Sequence, residues 1–234
     1  MSTVEVRELT VSYGYRAALD GLSLSLEAGR IVGLMGENGS GKTTLLKVLA
    51  GLLADYGGEV TVLGHRPGPE SKAGVSFLPD ASFLPDAITG NDAIGWYRDF
   101  FAGFDEAKAR DMIGYFRLDS GQRLRALSKG MREKLQIALA MSRRARLYLL
   151  DEPISGVDPA AREVILGGIL RNFASDALMI VSTHLISDVE NVVDDVVFLQ
   201  QGRVLLHGLA DDLRQSHGKS LDQLFREVYA CSAY

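Results

Sequence analysis

The chain is poor in features that would commit it to several large protein classes. It has one cysteine, Cys231, in 234 residues, which excludes an intrachain disulfide framework and reads as an incidental thiol. No apolar run approaches the roughly 20 residues that cross a bilayer as a helix. The opening residues, Met1-Ser2-Thr3-Val4-Glu5-Val6-Arg7, lack the charged-then-apolar pattern of a signal peptide. Positive charge is not in excess: 25 Lys and Arg stand against 30 Asp and Glu, a net charge of −5. That excludes the basic footprint of a general nucleic-acid binder. No repeat architecture is present; Ser76-Phe77-Leu78-Pro79-Asp80 returns once, as Ser82-Phe83-Leu84-Pro85-Asp86, and stops. A cytoplasmic setting fits all of this. With 47% hydrophobic and 24% charged residues, the chain can bury a sizeable core in one large or two small domains.

Against that plain background one segment stands out. Gly36-Glu37-Asn38-Gly39-Ser40-Gly41-Lys42-Thr43-Thr44 contains G-x-x-x-x-G-K-T, the phosphate-binding loop. The apolar run Ile31 to Met35 leads in, and the helix-forming run Leu45 to Ala50 leads out. Strand, glycine-rich loop and helix are the context that the motif requires. Gly36, Gly39 and Gly41 are expected at positive φ, letting the backbone approach a triphosphate without a Cβ in the way. Successive N–H groups then form an anion nest, completed by the positive end of the helix that begins near Gly41. Lys42 is placed to reach the β- and γ-phosphates, the Thr43 hydroxyl to ligate Mg²⁺, and Thr44 to bond the α-phosphate.

Two patterns organise the rest. Val4 to Leu9 and Leu22 to Leu26 alternate with period two, as does the segment from Gly57 to Gly64, which predicts a half-buried antiparallel sheet. Residues 66–73, with Pro67 and Pro69, read as loop or a short helix. The region 84–145 reads helical, and its Trp96, Tyr97, Phe100, Phe101, Phe104, Tyr115 and Phe116 are expected to form a small helical core. From residue 146 strand and helix alternate. Leu147 to Leu150 and Leu178 to Val181 are continuous apolar runs, as in strands buried on both faces. Ala160 to Phe173 is amphipathic, Val196 to Leu206 reads as a hairpin, and Leu221 to Tyr229 as a short helix.

Three apolar strands end in chemically suggestive residues: Met35 into Gly36, Leu150 into Asp151 and Glu152, and Val181 into Ser182-Thr183-His184. Ligands bind outside the carboxyl ends of strands in an open parallel sheet, so these endings share one site if the strands are neighbours. Asp151 would hold Mg²⁺ directly or through water. Glu152, beside it, is placed to polarise an attacking water.

With these residues in order, the chain resembles the ATP-binding subunit of an ATP-binding-cassette (ABC) transporter over nearly its full length. Residues 36–44 match the family's Walker A loop, and residues 147–152 its Walker B strand with the catalytic glutamate. Tyr13 resembles the aromatic that stacks on adenine, with Tyr15 as its rival. Ser155-Gly156-Val157-Asp158 resembles the loop that crosses to a partner subunit, and His184 falls at the switch histidine. Leu127-Ser128-Lys129-Gly130-Met131 falls at the signature, usually L-S-G-G-Q. There Ser128 and Gly130 match while Lys129 and Met131 depart; Ser128 also reads as the N-cap of a helix from Lys129 to Met141. Where the family has a glutamine after an apolar-Pro pair, Asp80 follows Phe77-Leu78-Pro79, a shorter and charged side chain that would ligate Mg²⁺ or orient water.

The resemblance implies an α/β fold of the P-loop NTPase class. Residues 1–83 and 146–234 would form a mixed nucleotide-binding core with an antiparallel β subdomain, and residues 84–145 an inserted helical signature subdomain. It implies ATP and Mg²⁺ as cofactors, and catalysis by Glu152, His184, Lys42 and Asp80. The nucleotide would be bound by Tyr13, Gly36, Asn38, Gly39, Ser40, Gly41, Lys42, Thr43, Thr44, Ser128 and Gly130, and the metal by Thr43, Asp151 and Asp80. It implies a second cassette closing over the nucleotide, integral membrane permease subunits, no nucleic-acid partner, and a place on the cytoplasmic face of the membrane. The signature and short C-terminus suggest a compact bacterial exporter type. Alternatives are a non-transport ATPase of the same class, an ATP-sensing module with little hydrolysis, and a P-loop kinase.

Overall fold

The computed structural model describes residues 2–231, with the side chain of Cys231 excepted. Among the described residues nine strands form two sheets. Strands β1 (Val4–Tyr13), β2 (Arg16–Leu26) and β4 (Gly57–Val62) pair antiparallel in the order β2-β1-β4. The second sheet has six strands in the order β5-β6-β7-β3-β8-β9: β5 (Val75–Leu78), β6 (Leu147–Asp151), β7 (Leu178–Thr183), β3 (Arg30–Met35), β8 (Asp195–Gln200) and β9 (Arg203–Leu209). The first five run parallel, and β9 closes the edge antiparallel to β8 as the expected hairpin.

The continuous apolar runs are explained by cores on both faces of this sheet. On one face Val32, Leu34, Leu147, Leu149, Ile180 and Val197 pack with the β1-β2-β4 sheet and with α1 (Lys42–Leu49). On the other, Ile31, Met35, Tyr148, Leu150, Met179, Val181 and Phe198 pack with helices. Adjacent residues go to opposite cores because side chains alternate along a strand.

Helices on that second face carry readable start signals. After α2 (Pro69–Lys72) come α3 (Gly90–Phe100), α4 (Glu106–Tyr115), α5 (Lys129–Met141) and α6 (Pro159–Asn172). Thr89, Asp105, Ser128 and Asp158 cap the last four, each side chain accepting a backbone N–H three residues on. The chain ends through α7 (Ile186–Val189), α8 (Ala210–His217) and α9 (Leu221–Cys231).

The aromatic cluster of the helical region divides. Tyr97 and Phe116 are buried, and Tyr97 packs against Phe101 and Phe104 with ring centroids 5.0 and 5.5 Å apart. Trp96, Phe100 and Tyr115 are exposed instead of joining a core. Helix geometry gives the reason for the first two. Helix α3 buries Gly90, Ala93, Ile94 and Tyr97, and Trp96 and Phe100, four apart, lie on a different face.

Leu149 is fully buried and Phe100 is 80% exposed, so truncation should separate them. Leu149→Ala is expected to cost about 2–5 kcal/mol, and Phe100→Ser to stay within about 0.5 kcal/mol. Denaturant unfolding midpoints check both.

Candidate active site

Strands β6, β7 and β3 are immediate neighbours, so the three suggestive strand ends do meet. Met35 pairs with Thr183, and Asp151 with Ser182. At this edge opens a cavity of about 460 Å³. It is lined by Asn38, Gly39 and Gly41 of the loop before α1 and by Lys42, Thr43 and Thr44 of the helix's first turn. Tyr13, Asp80 and Glu152 stand around it, together with Arg16 and Ala18, which the sequence did not single out. Tyr13 therefore faces the cavity, whereas Tyr15 is fully exposed on the turn between β1 and β2.

Glycine is required in this loop for two different reasons. Gly39 and Gly41 take φ of 83° and 111°, and a Cβ on Gly41 would lie 2.6 Å from the Ala18 carbonyl oxygen. Gly36 corrects the expectation: it is not among the positive-φ glycines. There the constraint is space, since a Cβ would come within 2.5 Å of the Leu199 carbonyl oxygen and of Ser40 Oγ. Gly36 and Ser40 support the loop from behind and do not line the cavity. Helix α1 starts at Lys42 with no side chain bonding its first amides, which leaves them to an anion.

Lys42 is buried with its ammonium donating to the carbonyl oxygens of Gly36 (2.7 Å) and Glu37 (3.1 Å). Glu152 Oε1 lies 3.4 Å away, so the cation is fixed between the loop and the end of β6. The other oxygen, Oε2, is 3.0 Å from His184 Nδ1. Glu152 thus links the lysine on one side to the histidine on the other. It does so from a left-handed backbone with φ 51°, a conformation worth about 1–3 kcal/mol of strain for a residue with a Cβ. Its N–H donates both to the Ser182 carbonyl (3.1 Å) and to Ser182 Oγ (3.0 Å), which holds the turn in place.

Asp151 is almost fully buried. Its Oδ1 accepts from the Ser182 hydroxyl at 2.6 Å, and its Oδ2 is buried with no hydrogen-bond partner. An unpartnered carboxylate oxygen in a buried site is costly unless a cation or donor completes it. Thr43 and Asp80 line the cavity, and Asp151 lies beside it in a small pocket that Asp80 and Glu152 also line; these oxygen donors suit Mg²⁺. Among the described residues no group of three or more His, Cys, Asp or Glu gathers to hold a metal ion. The ion's remaining ligands would then be substrate phosphates and water, its usual habit.

Ser128 and Gly130 lie elsewhere. Ser128 Oγ accepts from the Met131 N–H at 3.3 Å as the cap of α5, and neither residue lines the cavity. Gly130 lies beside Val157, and the Lys129 ammonium approaches Gly156 of the neighbouring loop. Met131, a departure from the family signature, packs partly buried against the helical core. Asp158 caps α6, its Oδ1 accepting from the Ala161 N–H at 3.0 Å. Asp86, expected in solvent, is exposed and pairs with Arg132. Glu133 has its carboxyl pushed above the usual range by burial, against the pull of Lys129, with the nearby Asp80 charge adding to the rise. No helix among the described residues is long and apolar enough to cross a membrane.

Known proteins with this arrangement are numerous. A family model described as ABC transporter matches residues 19–155. The daunorubicin resistance ATP-binding protein DrrA3 of Streptomyces coeruleorubidus is 30% identical over 225 residues, spanning 92% of this chain and 71% of that protein. The Nod factor export ATP-binding protein I of Rhizobium etli is 29% identical over 223 residues, spanning 91% and 70%. A solved structure of an ATP binding subunit of an ABC transporter superposes with a TM-score of 0.85 at 30% identity, covering 97% of this chain and all of that one. The chain therefore belongs to the ABC transporter family, as an ATP-binding, ATP-hydrolysing cassette subunit.

Proposed function

We propose that this cassette powers export through separate membrane permease subunits by closing on a second cassette around ATP. The observation that carries this reading is the division of the site. The cavity holds the phosphate loop, Lys42, Asp80 and Glu152, while Ser128 and Gly130 sit outside it at the capped start of α5. A capped helix start is an anion site in its own right, and it faces no phosphate within its own chain. A second cassette, presenting its own Ser128 and Gly130 across the γ-phosphate, completes the arrangement. The protein would then sit at the cytoplasmic face of the membrane, held there by permeases and not by a span of its own. The export assignment rests on the drug-resistance and Nod-factor relatives.

Within each half-site the roles follow from placement. Tyr13 stacks on the base, and the loop amides with Lys42, Thr43 and Thr44 hold the phosphates. Mg²⁺, when bound, would be held by Thr43, Asp151 and Asp80 and would offset phosphate charge. Glu152 accepts a proton from the attacking water, and His184 fixes the orientation of its carboxylate. Lys42 is held by two carbonyls and by Glu152. An arriving triphosphate competes for that cation and frees Glu152 to take up water. Phosphoryl transfer needs positioning and charge stabilisation more than covalent chemistry.

Two outcomes test this. Glu152→Gln is expected to keep ATP binding, to lower turnover by about 10²–10⁴-fold, and to form an ATP-dependent dimer visible by light scattering; unchanged hydrolysis would remove Glu152 from its role. Tyr13→Ala is expected to weaken nucleotide binding by about 1–3 kcal/mol, while Tyr15→Ala leaves it unchanged. Equal effects at the two tyrosines in a nucleotide titration would reverse the assignment of the base site.

A further inference from the structure

We propose that Ser182 is a positioning residue that holds Asp151 and Glu152 in one geometry, so that metal binding and water activation depend on a single buried hydroxyl. The inference rests on the roles given above to those two carboxylates and adds a residue that touches neither nucleotide nor water.

Ser182, next to last in β7, lies directly opposite Asp151 in the parallel register. It is fully buried, and the strand before it is apolar throughout: Leu178, Met179, Ile180, Val181. A hydroxyl at that place is an expense for packing, since burying it is unfavourable without hydrogen bonds. It has two. Its single proton goes to Asp151 Oδ1 at 2.6 Å, and its oxygen accepts the Glu152 N–H at 3.0 Å. One hydroxyl therefore contacts the side chain of the first carboxylate and the backbone of the second.

Each bond has a separate consequence. Because Oδ1 is engaged, the Asp151 carboxylate is fixed in rotation and presents Oδ2, which has no protein partner. That is the oxygen left for a cation. Because the Glu152 N–H is engaged, the left-handed backbone at φ 51° is held, and with it the reach of Glu152 toward Lys42 and His184. A Cβ alone at position 182 would supply neither hydroxyl bond: Asp151 Oδ1 would lose its donor, and the Glu152 N–H would keep only the position-182 backbone carbonyl, which accepts it at 3.1 Å. Partners that orient a metal ligand in this way typically matter by about 10–100-fold in metal affinity or activity.

Binding of a fluorescent ATP analogue, measured in EDTA and in Mg²⁺, tests this beside steady-state kinetics. Ser182→Ala and the near-isosteric Ser182→Cys, a weak donor, should bind as the unaltered protein does in EDTA. Both should lose about tenfold of the affinity gained on adding Mg²⁺, with kcat reduced about 10–100-fold and KM for ATP in excess Mg²⁺ little changed. Ser182→Thr keeps the hydroxyl and should retain both the gain and the kcat. The proposal is overturned if Ala and Cys keep the Mg²⁺-linked gain, if affinity falls equally in EDTA and Mg²⁺, or if Thr loses as much as Cys. Should the Ala variant not fold, the Thr and Cys pair decides alone. Asp151→Asn and Glu152→Gln, run alongside, separate the two levels. If they too retain the gain and turnover, the reading of the site itself fails; if they lose while Ser182→Cys retains, only the role of Ser182 does.

Discussion

The site depends on register. Three parallel strands, β6, β7 and β3, must end at one height if a phosphate loop, a cation-binding carboxylate and a base are to meet. Backbone pairing sets Met35 against Thr183 and Asp151 against Ser182. Side chains alternate with period two, so a slip of one residue would turn Asp151 into the core and Leu150 toward the cavity. Two apolar cores guard against that slip, because in these three strands every position but Arg30 is buried. The catalytic geometry is thus an outcome of packing that extends well beyond the cavity.

Within that frame, the buried charges are held by short-range compensation. Lys42 pairs with Glu152, Glu152 with His184, and Asp151 with the Ser182 hydroxyl. The strain of the left-handed turn at Glu152 is offset by its N–H donating to two acceptors on Ser182. Among the described residues four side-chain oxygens are buried without a hydrogen-bond partner: Asp151 Oδ2 and Glu152 Oε1 at the end of β6, Ser40 Oγ in the phosphate loop, and Glu133 Oε2 on α5. Buried polar atoms of this kind are scarce in folded proteins, and the pair at the end of β6 marks where a ligand or its ion belongs.

Much of this was legible in the residues. The phosphate loop, the apolar strands with their terminal residues, and the cap at Ser128 are local signals, and local signals survive in sequence. The aromatic cluster was only half legible: Tyr97 and Phe116 are core, but helix spacing put Trp96 and Phe100 outside. Gly36 was legible as essential but not in its reason, because the crowding comes from Leu199 on β8. Arg16 carried no signal, and Ser182 was legible only as part of a suggestive strand ending, since the roles of both arise from strand neighbours distant in the chain. Met131 reads as a lost hydrogen-bonding group in sequence and as a packing residue in the fold.

The division of the site between two chains is the central physical claim, and complementation tests it most directly. A Lys42→Ala chain lacks a working loop, and a Ser128→Arg chain lacks a working cap, so each alone should be inactive. Mixed, they can form a pair in which the intact loop of one meets the intact Ser128 of the other. ATP turnover well above the sum of the separate proteins is the expected result. A mixture that stays at that sum, or full turnover by Ser128→Arg alone, would contradict the shared site.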